Sequence, residues 1–324
     1  MGSDTFDALD LKVLHALEVA GRAPFSRIAE VLDVSDQTVA RRYRRLRAEA
    51  ALRVVGVRDG IRLGQDQWML QLRCAPDAAE VIARALARRP DTAWIALASG
   101  GTEVVCVTRA RSRGEQEDLL LSKLPRTPSI VEIRAHQVLH RFFGGPVGWL
   151  SKSRALTGRQ AAQLRGPVEP PGTAEPPRIT AEDEPIVGVL ERDGRATYPE
   201  LRRATGGTEP VLKRRLSRLL SSGAFFIDLE FDVGRFGYGT RAVLWVSAAP
   251  GALEEVGNAL AAHPEVAFVA AVAGGACDLV AVVITRDNAE LFRYLARGVG
   301  GLPGVVRSET SPVLRHVKQL TYGA

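Results

Sequence analysis

The chain has 324 residues, 46% hydrophobic and 25% charged, a globular balance with room for about two domains of roughly 150 residues each. A net charge of +6 and a pI near 9.5 fit a polyanionic partner without requiring one. No charge-free apolar run reaches about 18 residues and no basic leader precedes an apolar stretch, so neither a membrane span nor a signal peptide is expected.

Asp7, with Asp10 three residues later, marks a helix start, and Leu9, Val13, Ala16 and Leu17 form its apolar stripe up to Gly21. Phe25, Ile28, Ala29 and Leu32 give a short second helix, with Asp33-Val34 as the turn. The third runs over Ser35–Arg47. Ser35 is its N-cap, and Val39, Tyr43, Leu46 and Ala50 face the core. Arg41, Arg42, Arg44, Arg45 and Arg47 are expected to point away from that core. Three helices with a tight turn before a basic one form a helix-turn-helix pattern. Gln37 and Thr38, in the first turn, are placed to reach base edges, with the arginines on phosphates. The same charge run also reads as a solvated helix face. Leu52–Val57 follows as a wing or a strand leading out.

From Trp68 the period changes. Strands are expected at Trp68–Arg73, Thr92–Ala98, Glu103–Thr108 and Ser129–His140. The helix at Asp77–Arg89 is expected to turn Ala78, Val81, Ile82, Ala85 and Leu86 inward, and that at Glu115–Lys123 Leu119, Leu120 and Leu124. The order is βαββαβ, a ferredoxin-like unit. Residues 144–179 break the pattern. Thr157–Arg165 reads as a short helix, and proline-rich 166–177 as an extended linker.

The first half then returns. Gly21-Arg22-Ala23 recurs as Gly194-Arg195-Ala196 and Arg41-Arg42 as Arg214-Arg215, both 173 residues on. Ala75-Pro76 recurs as Ala249-Pro250 and Gly100-Gly101 as Gly274-Gly275, 174 on. Thr180 with Asp183 replaces Asp7 with Asp10. The repeat places helices near 180–193, 198–205 and 208–222, strands at 240–247, 266–273, 279–285 and 305–319, and helices at 252–262 and 288–297. The fold class expected is α+β: two repeats of a winged helix-turn-helix domain plus a ferredoxin-like βαββαβ domain.

This order resembles the Lrp/AsnC, or feast/famine, family. The resemblance rests on Leu9-Asp10 with Val13-Leu14, on Val34-Ser35 with Val39, Arg41-Arg42 and Leu46, and on Val272–Val280, a glycine-then-acid turn into a strand. It covers both halves, as two family units fused in tandem. The resemblance implies helix-turn-helix domains at 1–60 and 180–235, ferredoxin-like effector and dimerisation domains at 61–143 and 236–324, and a linker at 144–179. It further implies a transcriptional regulator that binds double-stranded promoter DNA and a small effector, commonly an amino acid, with no cofactor. The effector would lie near Ser99, Gly100, Gly101, Thr102 and Glu103 in the first unit, and near Ala273, Gly274, Gly275, Ala276 and Asp278 in the second. Backbone N–H groups at a glycine turn can hold a carboxylate, and Asp278 an ammonium. The same turns also read as plain hairpins. Either a homo-oligomer or an internal pseudo-dimer fits.

The two basic helices are not equivalent. Val39, Tyr43 and Leu46 become Leu212, Leu216 and Leu219, so the core stripe is kept. Gln37 and Thr38 become Pro210 and Val211, Arg44 becomes Ser217 and Arg47 becomes Leu220. Lys213, Arg214, Arg215 and Arg218 remain. The DNA-contacting set expected is therefore Ser35, Gln37, Thr38 and the five arginines of the first copy, with these four weaker contributors in the second.

No catalytic constellation and no metal set is legible, and the chain is read as a non-enzyme. Cys74, Cys106 and Cys277 sit in apolar strands without metal-ligand spacing, which reads as buried reduced thiols in a cytoplasmic protein. His15 is expected at the surface, and His136 and His140, four apart on a strand, on one face. Two other readings share the architecture. Sirohaem decarboxylases resemble paired Lrp/AsnC units, for which Arg134, His136, His140 and Arg141 would be the candidates around a tetrapyrrole. A ligand sensor without DNA binding is the other.

Overall fold

The computed structural model describes residues 6–110, 112–165 and 177–320. The first five residues and, except for Pro177, the proline-rich linker stretch lie outside the described residues. In chain order the elements are α1 (Ala8–Val19), α2 (Phe25–Leu32), α3 (Asp36–Glu49), β1 (Arg53–Arg58), β2 (Trp68–Cys74), α4 (Ala79–Ala87), β3 (Thr92–Ala98), β4 (Glu103–Thr108), α5 (Arg113–Glu117) and β5 (Ile130–Phe143). Then follow α6 (Gly158–Arg165), α7 (Glu184–Arg192), α8 (Tyr198–Thr205), α9 (Glu209–Ser221), β6 (Phe225–Glu230), β7 (Thr240–Ala248), α10 (Leu253–Ala262), β8 (Val266–Ala273), β9 (Leu279–Thr285), α11 (Asn288–Arg293) and β10 (Val305–Lys318). They form two compact units. A helical unit holds the chain up to Leu63 together with Gly145–Phe236, and a barrel unit holds Gly64–Gly144 and the chain from Gly237 onward.

In the helical unit, Asp7 and Asp10 close a capping box on α1, and Ser35 caps α3 by accepting from the Thr38 N–H at 3.1 Å. Val13, Leu14, Leu17, Ile28, Val39 and Leu46 make the core of this first three-helix group. Leu150, Leu156 and Leu164 join the same core, so residues 149–165 are packed structure and not spacer. His15 is buried there. Its Nδ1 accepts from the Leu156 N–H at 3.2 Å, which corrects the surface position expected from sequence. Ile186, Leu190, Leu212, Leu216 and Leu219 form an equivalent core under α7, α8 and α9.

The segment after α3 makes no hairpin of its own. β1 pairs antiparallel with β6, its own copy, with Val54 opposite Leu229 and Gly56 opposite Ile227. Gly56 is required by close approach, since a Cβ there would stand 2.1 Å from the Phe225 ring. The triplets that mark the repeat hold the two copies together. Arg22 donates to the carbonyls of Gly194 (2.6 Å) and Ala196 (2.8 Å), and Arg195 donates to those of Gly21 (2.6 Å) and Ala23 (2.9 Å). Hydrogen bonds from a charged donor contribute about 1.5–3 kcal/mol each. Unlike halves therefore pair within one chain.

The barrel unit is a closed eight-stranded ring in the order β10-β3-β4-β2-β5-β8-β9-β7. Each βαββαβ half supplies four neighbouring strands, and the last strand of each half pairs antiparallel with the second strand of the other, β5 on β8 and β10 on β3. Met69, Val105, Val243, Ala270, Val272 and Val280 pack between the two halves, while each half keeps its own core under its helices. In both halves the second helix loosens into a wider π-helical turn, at Asp118–Lys123 and Tyr294–Val299.

The structure rotates one predicted helix face. On α4 the buried residues are Ala79, Ile82, Ala83, Leu86 and Ala87, while Val81 is 68% exposed and Ala85 is exposed. The small alanines let the helix lie close on the sheet, and close approach outweighs burial of one valine. A second correction concerns β5. Its pairing with β8 shifts register between Val138 and His140. Such a bulge flips the alternation of faces, so His136 is buried and His140 exposed rather than sharing one face.

Candidate nucleic-acid interface and ligand cavity

The five arginines of α3 do not act alike. Arg42 and Arg45 turn back onto α1. Arg42 meets Asp10 at 3.1 Å and Asp7 at 2.7 Å, and Arg45 meets Asp10 at 3.5 Å and Glu49 at 3.0 Å. The Asp10 carboxylate is fully buried, so these cations neutralise a charge that would otherwise be costly inside the fold. Burial raises the Asp7 carboxyl, but the Asp10 N–H and the Arg42 charge outweigh it and hold the group below its ordinary value. Two of the arginines predicted to face DNA are thus tied to the fold.

Arg41, Arg44 and Arg47 remain exposed. Arg44 Nε lies 3.4 Å from the Ala40 carbonyl, and Arg47 stands 5.9 Å from the Tyr43 ring centre, both neutral groups. Gln37 beside them is exposed. Ser35 and Thr38 spend their hydroxyls on each other at 2.9 Å, as part of the cap. The outward set on α3 is therefore Gln37, Arg41, Arg44 and Arg47.

On α9 the inward pairing is repeated, Arg215 with Glu182 and Arg218 with Asp183. Burial raises the Asp183 carboxyl, and Arg218 with the Thr180 groups more than offsets this. Lys213 pairs with Glu209 at 2.8 Å. That leaves Arg214 among exposed Pro210, Ser217 and Leu220. Both framework arginines are duplicated, while of the three outward ones only Arg41 has a counterpart, Arg214.

In the barrel unit a cavity of about 20 Å³ lies where the two halves meet. Gln71, Arg134 and His136 line it from the first half, and Trp245, Ser247, Ala276, Cys277, Arg307 and Glu309 from the second. Gln71 Nε2 donates to Glu103 and to Glu309, each at 3.2 Å. Arg134 pairs with Glu132 at 2.8 Å and Glu309 at 3.3 Å. The His136 ring packs on Trp245, with centroids 5.1 Å apart, and its Nδ1 lies 3.5 Å from the Cys277 sulfur. Burial lowers the His136 pKa, so the imidazole is held neutral. Burial also pushes the Cys277 thiol up to about 12, and no thiolate–imidazolium pair forms. The Cys74 and Cys106 thiols are likewise buried and raised, in keeping with inert thiols.

Most of this set was not legible in the sequence. The one signal present is charge reversal at the repeat offset: Glu132 and Arg134 in β5 stand where β10 has Arg307 and Glu309. Of the residues drawn from the tetrapyrrole resemblance, Arg134 and His136 reach the cavity, while His140 and Arg141 lie beyond the bulge. A space of this volume holds about one water and does not admit a macrocycle. Among the described residues no group of three or more His, Cys, Asp or Glu side chains is placed to hold a metal.

The two glycine turns differ. Gly274 and Gly275 have φ of +94° and +107°, and a Cβ on either would come within 2.7 Å of Ala135 or His136 in β5. This turn is closed over the first half of the barrel unit. Asp278 accepts from the Ala248 N–H at 3.0 Å, so the carboxylate expected to hold an ammonium caps a strand. Ala273 and Ala276 are exposed beside it. Gly100 and Gly101 face open space. Around them Ser99 contacts Glu103 at 3.4 Å, and the Thr102 hydroxyl donates to the Ser99 carbonyl at 2.9 Å. No helix among the described residues is long and apolar enough to cross a membrane.

Comparison with known proteins bears on both units. The AsnC-type helix-turn-helix domain matches residues 6–47, and the Lrp/AsnC ligand binding domain matches residues 241–322. The HTH-type transcriptional regulator FL11 of Pyrococcus horikoshii is 31% identical over 140 residues, 43% of this chain and 91% of that protein. FL11 of Pyrococcus furiosus is 29% identical over 140 residues, 43% of this chain and 91% of its own. Among solved structures, the siroheme decarboxylase NirDL superposes with a TM-score of 0.64, covering 98% of this chain and 94% of its own. At 15% identity that likeness is one of fold alone. The chain belongs to the Lrp/AsnC family of helix-turn-helix transcriptional regulators.

Proposed function

We propose that the chain is a sequence-specific, effector-modulated DNA-binding regulator whose two reading heads are unequal. In this reading 180–235 is a second winged helix-turn-helix domain that keeps its framework and has lost most of its reading face. α3 reads an operator through Gln37, Arg41, Arg44 and Arg47, and α9 supplies Arg214 to a phosphate or serves in packing. Three exposed arginines on α3 that meet no carboxylate, against one on α9, where Arg218 is exposed but paired with Asp183, carry the reading. Because both heads sit in one chain, the operator it selects is asymmetric, without the two-fold sequence symmetry that identical heads impose. Residues 61–143 and 236–324 form the ferredoxin-like pair that senses a small effector, such as an amino acid, at the second-half turn around Ala273–Asp278.

Selection of genomic fragments bound by the full chain, followed by footprinting, tests this. Enriched sites with one informative half support it. Sites with two equally informative, inverted halves, or no enrichment over bulk DNA, refute it.

A further inference from the structure

The cavity between the barrel halves is lined by a residue with a buried polar atom that the fold leaves unsatisfied. His136 is 2% exposed, and its Nε2 has no hydrogen-bond partner. Behind the Gln71 amide, outside the cavity lining, Glu103 is 6% exposed and its Oε1 has none either. In the neutral tautomer with the proton on Nδ1, beside the Cys277 sulfur, Nε2 is an acceptor. A buried acceptor without a donor costs about 1–3 kcal/mol, so the site favours an occupant that brings hydrogens.

The surrounding chemistry narrows that occupant. Glu309 lines the cavity and the Trp245 ring forms one wall, a pairing that attracts a cation. The space suits a group of about the size of one water. Toward solvent stand exposed Ala276 and Arg307. The site is also inherently lopsided. Positions 174 or 175 residues apart pair Gln71 with Trp245, Glu103 with Cys277, Arg134 with Glu309 and His136 with Ser311. Two identical units would place like groups across this junction. The fused halves place an acceptor-rich end against a cationic rim, which suits one ligand with two unlike ends.

We propose that this cavity is a binding site for the ammonium head of a small primary amine, with the remainder of the molecule at the rim beside Arg307. This rests on the effector reading above and moves the point of recognition from the glycine turn itself to the junction of the two halves. The amine donates to His136 Nε2 and Glu309, and an acidic or polar tail meets Arg307.

Calorimetric titration of the full chain with alkylamines and α-amino acids, and with the N-acetyl derivatives of the same compounds, tests the site. A free amine is expected to bind, and N-acetylation is expected to weaken binding about tenfold or more. Glu309→Gln should weaken it similarly. Ala276→Leu, a change at an exposed position, should block the mouth and leave the fold intact. Failure of every free amine to bind at millimolar concentration overturns the proposal, as does equal binding of the N-acetyl forms or undiminished binding by both variants. Repeating the titrations beside a DNA-binding assay separates this from the regulatory reading. An amine that binds without altering DNA affinity supports the site and refutes modulation. A DNA response to amines that both variants retain in full refutes the site and leaves modulation standing.

Discussion

Replacing Arg41, Arg44 and Arg47 together by alanine removes the exposed cations of α3 and spares Arg42 and Arg45, which hold Asp10. Each arginine that neutralises a phosphate adds roughly 0.9 to the slope of log K against log salt, so the triple variant should flatten that slope by up to about 2.7. Arg214→Ala in α9 should flatten it by at most about 0.9, because Lys213, Arg215 and Arg218 are engaged with carboxylates. Arg42→Ala should lower thermal stability and leave the slope unchanged. The assay is fluorescence anisotropy on a selected operator over a salt series, at a temperature where every variant is folded. An Arg214→Ala effect equal to that of the triple variant refutes the asymmetry. A normal slope and affinity in the triple variant refutes the assignment of α3 as the reading head.

Three further outcomes concern stability. Asp10→Ala leaves Arg42 and Arg45 without their buried partner and should cost about 3 kcal/mol in denaturant unfolding, whereas Asp36→Ala on the exposed start of α3 should cost under about 1. Gly56→Ala drives a methyl into the Phe225 ring and should destabilise by about 1–3 kcal/mol, read as a lower melting temperature. Glu18, whose Oε1 accepts from the Leu150 N–H at 3.1 Å, is pushed up to about 8 by burial and by the nearby Asp228 charge. The folded state thus holds a proton that the unfolded chain releases near 4.5, so wild-type stability should fall as pH rises from 4.5 through 8. Glu18→Gln should remove that decline and gain on the order of 2 kcal/mol at pH 8. A wild-type unfolding free energy that stays flat or rises over that range contradicts it.

Much of the fold was legible because local periodicity and repetition report it directly. The stripes of α1 and α3, the caps at Asp7 and Ser35, and the βαββαβ order are short-range properties of the chain. The 173-residue echo of Gly21-Arg22-Ala23 showed that two copies exist. It did not show that these triplets clasp each other, because a reciprocal hydrogen bond has no signature in either copy alone. The α4 face differed from expectation because the apolar stripe admits two phases one residue apart, and contact with the sheet chose the phase carrying alanines. His136 and His140 parted because a bulge depends on the partner strand, and β8 lies more than a hundred residues further on.

The basic helix shows the same division. Composition and spacing placed five arginines on one helix and showed that two of them have no counterpart in the second copy. Which arginines look outward was settled only by α1, whose buried Asp10 draws in Arg42 and Arg45. The cavity is the extreme case. Its residues come from four strands and a turn, and none is unusual in its own stretch of sequence. Sequence by itself determined the repeat, the elements and the family, which depend on neighbours along the chain. Tertiary structure decided which charges are spent on the fold and which stay available, because a charge is buried or exposed by groups that pack on it from distant positions.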